Sequence, residues 1–229
     1  PTKLGHMELQ VDWGKECGDH IRRLAKTRGY TIVADLKYAP PTKDFASIIL
    51  DLKSAGADVV FSVPTPPQSI MIVKQMKELN YAPKVTLFIR GPDLSTYWGA
   101  MGKDANYIIS DGNWHESMPY PGNDRVVKDY RAKYPDVSSI GIPVGCAYGA
   151  MQILAKAIEM AGTLDREKLR NTIAKVEMMT VRGPIKFKEN GSAYIKYGFR
   201  QWQDGKNVQI YPKSVAISEI RLAPPWDKR

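Results

Sequence analysis

The stretch ADVVFSVPTPPQSIMIVKQMKEL, residues 57–79, holds one full period of the pattern that decides the fold. Ala57–Val63 is an apolar run interrupted only by Asp58 and Ser62, the composition of a strand covered on both faces. Pro64-Thr65-Pro66-Pro67 stops it with a rigid loop. Gln68–Leu79 then places Met71, Ile72, Gln75, Met76 and Leu79 largely along one side of a helix, with the methionines reading as core filling and not as a cofactor box.

The same rhythm runs outward in both directions. Upstream, Leu4–Val11 reads as a strand, Asp19–Arg28 as a helix stopped at Gly29, and Tyr30–Tyr38 as a second strand. Ala39-Pro40-Pro41-Thr42 breaks regular structure, Thr42 or Asp44 is placed to cap, and Phe45–Ser54 sets Phe45, Ile48, Ile49 and Leu52 on one helical face. Downstream, Val85–Ile89 reads as a strand, Pro92–Met101 as a short helix and Tyr107–Ser110 as a further strand. Strands alternating with helices, joined by right-handed crossovers, predict an α/β chain with a doubly wound, mainly parallel sheet.

Beyond Asn113-Trp114 the pattern changes. Met118–Gly122 carries two prolines and a glycine, and three helical stretches follow with no strand between them: Asn123–Lys133, Ile142–Ala161 and Asp165–Val176. From Thr180 onward the chain is β-like, with Gly183–Phe187, a turn at Glu189-Asn190-Gly191, then Tyr197–Gln203, a turn at Asp204-Gly205, and Val208–Tyr211. Pro224-Pro225-Trp226 reads as an extended, packed tail.

Composition removes several classes of function. Hydrophobic residues make up 43% and charged residues 25% of the 229, so a folded core is expected and a disordered chain is not. No apolar run reaches the ~18 residues that span a bilayer, so the chain reads as soluble. Pro1 is followed by no charged and no apolar leader region, so a secretion signal is read as absent or already removed. Lys and Arg outnumber Asp and Glu by 33 to 24, a net +9 that favours anionic partners; the basic residues are spread along the whole chain, Arg22, Lys53, Lys133 and Arg182 among them, with no arginine-rich run, so nucleic acid is not expected as a partner. Cys17 and Cys146 form no CxxC pair and read as core. His6, His20 and His115 have no metal-ligand spacing, so neither metal nor cofactor is expected. A Gly-rich phosphate loop, GxGxxG and GxSxG are all missing, and His115-Glu116 lacks a third orienting group; an enzyme is not expected and no catalytic residue is assigned.

The order of several short segments resembles the type I periplasmic binding proteins, in particular the leucine/isoleucine/valine group of ABC-transporter substrate-binding proteins. These segments are Asp12-Trp13-Gly14-Lys15, Thr42-Lys43-Asp44-Phe45, Ala57–Phe61, Trp114–Gly122, Tyr148–Gln152, and Gly183–Phe187 with Asn190-Gly191. The resemblance implies two lobes joined by crossovers, with most of the N-terminal lobe lying upstream of this chain. Residues 1–117 and 194–229 would be the C-terminal, ligand-binding lobe, and 118–193 a hinge crossover with a remnant of the first lobe. It also implies a periplasmic or extracellular location, a small-molecule solute and an ABC-transporter permease as partners. Without a partner sheet, Ile142–Ala161 would expose apolar surface and favour homo-oligomers or domain swapping.

In open α/β sheets ligands sit outside the carboxyl ends of the strands. The loops there offer Asp12 and Trp13, Tyr38, Ser62 with Pro64 and Thr65, Arg90 and Gly91, and Asn113 with Trp114. From these, Trp13, Tyr38, Pro64, Thr65, Arg90, Gly91 and Trp114 are the expected ligand contacts. Amino-acid-binding relatives tend to carry an acid in the fourth loop to hold the ammonium group; an arginine there suits a carboxylate and points to an anionic solute without an essential amine, an aromatic or aliphatic acid, whereas the resemblance implies branched-chain amino acids or related small organic acids. Arg90 pairing at the surface with Asp93 or Asp111, and Trp13 acting as core or rim, remain open. So do a sensor of the same fold and a truncated, non-binding fragment.

Overall fold

A computed structural model describes residues 1–195 and 197–229. The apolar runs become strands β1 (Lys3–Leu9), β2 (Thr31–Tyr38), β3 (Val59–Ser62), β4 (Val85–Phe88) and β5 (Ile108–Gly112), separated by helices α1 (Asp12–Arg28), α2 (Ala46–Ser54), α3 (Pro66–Glu78) and α4 (Tyr97–Met101). Helices α5 (Asn123–Lys133), α6 (Ile142–Ala161) and α7 (Arg166–Ile173) follow, then β6 (Glu177–Thr180), β7 (Gly183–Lys186), β8 (Gly198–Gln203) and β9 (Lys206–Tyr211). Seven strands form one sheet in the order β2-β1-β3-β4-β5-β8-β9, with β1 to β5 parallel, so the chain is α/β around a mostly parallel sheet. β6 and β7 make a separate antiparallel ribbon.

The chain divides into two compact units. The first comprises Pro1–Asp111, Arg200–Val208 and Ser218–Arg229. Alternation along its strands sorts the layers: Met7, Leu9 and Val60 pack with Phe45, Ile49, Leu52, Ile72 and Met76 of α2, α3 and their approaches, whereas Leu4, Phe61 and Val63 meet Ala25, Cys17 and Ile21 of α1. Trp226 of the tail docks on this core and donates Nε1–H to the carbonyl of Tyr81 at 2.8 Å.

On the α1 side, β1 also carries His6 and Glu8, both buried. Arg22 of α1 donates to Glu8 and, at 2.7 Å, to Asp35 of β2, while His6 Nδ1 lies 2.9 Å from Asp35 and Lys37 lies 3.4 Å from Glu8. The helix comes this close because residue 18 is glycine: a Cβ there would stand 2.5 Å from the Glu8 carboxylate.

The second unit comprises Gly112–Phe199 and Gln209–Ile217, with a small core of Trp114, Val126, Ile140 and Val181. Helix α6 is apolar almost all round, yet Pro143, Ala147, Ala150, Met151 and Ala155 are exposed, with Leu154 and Ile158 half-buried along the same stripe.

Several element boundaries differ from the sequence reading. Helix α1 begins at Asp12 and not Asp19, and Gly14 and Gly18 in its first half are the positions where it meets β1. The helix expected over Pro92–Met101 shortens to α4, since Leu94 N–H turns back to the Gly91 carbonyl at 3.1 Å. The helix expected to Val176 ends at Ile173, and β6 was not anticipated. Cys17 and Cys146 form no disulfide and are half-buried; Cys17 packs against the core layer under α1, and Cys146 Sγ lies 3.2 Å from Asn113 Oδ1. Among the described residues no helix is long and apolar enough to cross a membrane.

Candidate functional site

Parallel register brings the ends of four strands level: Leu9 pairs with Tyr38, Met7 with Ser62, and Ser62 with Phe88. The loops that follow therefore leave one edge of the first unit's sheet. Six of the seven expected contacts, Trp13, Tyr38, Pro64, Thr65, Arg90 and Gly91, belong to these loops or strand ends.

Their exposure divides them. Trp13, second residue of α1, is 44% exposed, and the Arg90 side chain is 46% exposed. Thr65, the residue before α3, is exposed as well. Tyr38 and Pro64 face inward. The Tyr38 ring is edge-on to Phe45 with centroids 5.2 Å apart, and its hydroxyl lies 3.1 Å from Ser62 Oγ. Ser62 Oγ donates to the Met7 carbonyl at 2.7 Å, so the phenol is the donor in its own bond. Burial pushes the Tyr38 phenol up to about 12, keeping it protonated and tied inward.

Trp114 is the seventh. It lies in the second unit, fully enclosed, with Nε1–H donating to Asn123 Oδ1 at 2.7 Å and the α6 backbone at Gly145 so close that a Cβ would meet the indole at 2.1 Å. It presents no surface to a solute in this structure. His115 is likewise buried, with Nδ1 accepting from the Ser117 N–H at 3.1 Å. Among the described residues no group of His, Cys, Asp and Glu is arranged to hold a metal ion.

The Arg90 loop is held from several sides. Gly91 has φ +106°, and a Cβ on it would lie 1.9 Å from Ser69 Oγ, so no other residue fits. Its N–H donates to Asp93 Oδ1 at 2.7 Å. The Pro92 carbonyl accepts from Trp202 Nε1 at 2.9 Å and from Asn207 Nδ2 at 2.8 Å, and Trp202 is stacked against Trp98. Arg90 Nε lies 3.5 Å from Asp93 Oδ2, so the surface ion pair weighed from the sequence is present, and the loop carries an acid as well as a base.

Two further side chains shape this edge: Asp93, weighed from the sequence only as a partner of Arg90, and Gln68, not singled out there. Asp93 is nearly buried and orders the Arg90 loop. Gln68 receives the Thr65 N–H at 3.1 Å and reaches the Pro40 carbonyl at 2.8 Å, joining two loops. The second was legible: Thr65-x-x-Gln68 before an apolar run is a capping box.

Comparison with known proteins gives this geometry a context. The chain is 29% identical over 240 residues to the Leu/Ile/Val-binding protein homolog 7 of Brucella abortus (strain 2308), an alignment that takes in 96% of this chain and 57% of that relative's own length. A leucine-binding protein of Thermotoga maritima superposes with a TM-score of 0.82 at 20% identity, over 92% of this chain and 60% of the other. A solute-binding protein of an R. palustris ABC transporter, solved in complex with benzoate, superposes with a TM-score of 0.79 at 17% identity, over 98% and 60%. Residues 1–207 match the family model described as periplasmic binding protein, and the chain belongs to that family.

Proposed function

We propose that this chain is the solute-binding component of an ABC-type uptake transporter and that it takes a small organic acid, either a branched-chain amino acid or an aromatic carboxylate. The observation that carries the reading is the exposed Arg90 on a loop pinned by Gly91, Asp93, Trp202 and Asn207, beyond the same strand ends as exposed Trp13 and Thr65. A guanidinium fork suits a carboxylate and an indole suits the apolar body attached to it. The relatives named for leucine, isoleucine and valine, and the one solved with benzoate, take ligands that share those two parts.

On this reading the chain binds and does no chemistry, works in the periplasm or outside the cell, and hands its solute to a permease. We also propose that residues 1–117 with 194–229 form the ligand-binding lobe, and that 118–193 hold a hinge crossover and part of a first lobe. Two facts support this: the chain spans 57% of the relative's length, and α6 leaves an apolar stripe uncovered. That stripe is also where copies of the chain would associate.

Thermal unfolding with leucine, isoleucine, valine, benzoate and 4-hydroxybenzoate tests the assignment. A solute at about 100 times its Kd stabilises by about 2.7 kcal/mol. Arg90→Ala is expected to weaken the bound acid by about tenfold or more, the worth of a charge-assisted bidentate contact. No stabilisation by any of the five would discard the solute class, and unchanged affinity in Arg90→Ala would remove Arg90 from the site.

A further inference from the structure

Thr65 caps α3 beside the Arg90 loop, and its hydrogen-bonding capacity is fixed by Gln68. The Gln68 amide has one possible orientation: Nε2 lies 2.8 Å from the Pro40 carbonyl and 3.4 Å from that of Thr42, and carbonyl oxygens only accept. Oε1 is therefore the atom facing Thr65, at 3.1 Å from its backbone nitrogen and 2.9 Å from Oγ1. Oε1 carries no proton, so Thr65 donates both its N–H and its O–H to it. A hydroxyl has one proton and two lone pairs. Even with the Gln68 backbone N–H on Oγ1 in the capping box, one lone pair is left.

Thr65 thus meets a solute as an acceptor only, while Arg90 meets it as a donor only. The two are joined through packing: a Cβ on Gly91 would lie 3.5 Å from Cα of Pro66, the residue after Thr65. We infer that this edge selects carboxylates that also carry a hydrogen-bond donor, an ammonium or a hydroxyl, over bare carboxylates. The inference rests on the reading of these loops as the solute site. A bare acid would leave the Thr65 lone pair unpaired once water is expelled, which is how a site rejects an analogue that lacks a polar group.

Calorimetric titration of the intact protein with two matched pairs tests it: leucine against 4-methylpentanoate, and 4-hydroxybenzoate against benzoate. Each pair differs by one donor, ammonium in the first and hydroxyl in the second. The donor-bearing member of one pair is expected to bind at least about tenfold tighter. Thr65→Val should abolish that preference by weakening the donor-bearing member alone, and Thr65→Ser should keep it. Gln68→Leu, which releases the hydroxyl proton, should erase the preference without weakening the bare acid; if that variant does not fold, the Thr65 pair decides. Equal affinities within both pairs, a preference for the bare acid, or equal weakening of both members by Thr65→Val would overturn the inference. In those cases Arg90→Ala separates the two claims. If it still weakens every acid, the site reading survives; if it weakens none, or if no acid binds, both fall.

Discussion

Gly91 is where the edge tolerates no side chain, for two independent reasons. Its φ of +106° strains any L-residue, and the Ser69 hydroxyl occupies the space a methyl would need. Gly91→Ala is expected to cost about 2–3 kcal/mol, lowering the melting temperature by roughly 4–10 °C for a chain of this size. Thermal unfolding followed by circular dichroism checks this, and a change under 1 °C would mean the loop is slack. Arg22 makes a complementary case. Its removal in Arg22→Ala leaves the buried Glu8 carboxylate with only Lys37 at 3.4 Å, and about 3 kcal/mol of stability should be lost. Residues of these kinds differ in how they read from sequence. Arg90, Thr65 and Trp13 stand out because βα loops collect polar and aromatic groups that no core explains. Tyr38 and Pro64 read the same way, yet both are buried; for Tyr38, the last residue of its strand gives no sign of which side it takes. Asp93 reads from sequence only as a partner of Arg90, because its bond to the Gly91 backbone N–H leaves no pattern in the sequence.

At the scale of elements, α1 and the β1–β2 pair are sealed by ionisable groups, and this makes their docking sensitive to acid. Burial lowers the His6 imidazole below its usual range, against the raising effect of Asp35 and Glu8 and with Arg22 also lowering it. The unfolded chain therefore takes up this proton first, and stability falls as pH drops below about 6.5. Burial raises the Glu8 carboxyl, but Arg22 and Lys37 outweigh it and the group ends low. Arg22 is the main cause holding Asp35 low, assisted by His6 and opposed by burial. Both contributions are present above about pH 4.5 and are lost as pH falls through the folded values. The signs agree, so urea midpoints are expected to decline from pH 7 to 5.5 and again below pH 4.5. His6→Gln should flatten the first decline and leave the second; an unchanged first slope would exclude His6 as its source. The helix itself was half legible. Asn123–Lys133 and Ile142–Ala161 match α5 and α6 end to end, with Gly122 before the one and Gly162 after the other, and the apolar run of α6 carries the reading across Gly145 and Gly149; the polar first half of α1, around Gly14 and Gly18, offers no such run. The ribbon strand β6 escaped because Glu177, Met178 and Met179 are helix formers and carry no β-branched or aromatic signal.

Across the whole molecule, apolar burial is unevenly shared, and stability should follow it. The first unit closes around Met7, Phe45, Ile49, Leu52, Val60, Ile72, Phe88 and Trp202, all fully enclosed. The second has Trp114, Val126, Ile140 and Val181, while α7 has no buried residue and α6 keeps Met151 and Met160 half or more exposed. Local opening costs least where few apolar contacts are broken. Backbone amides of α6, α7 and the β6–β7 ribbon are therefore expected to exchange with deuterium well before those of β1, β3 and β4. Truncation in Trp114→Ala, which removes the largest side chain of the smaller core and its bond to Asn123, should cost about 3–5 kcal/mol. It should accelerate exchange in α5 and α6 and leave β1 and β3 at their original rates. Mass spectrometry of exchanged peptides reads both effects. Uniform protection across the two units would show that the exposed stripe of α6 is not the weakly held surface its sequence and burial describe, and the proposed need for a covering lobe would lose its support.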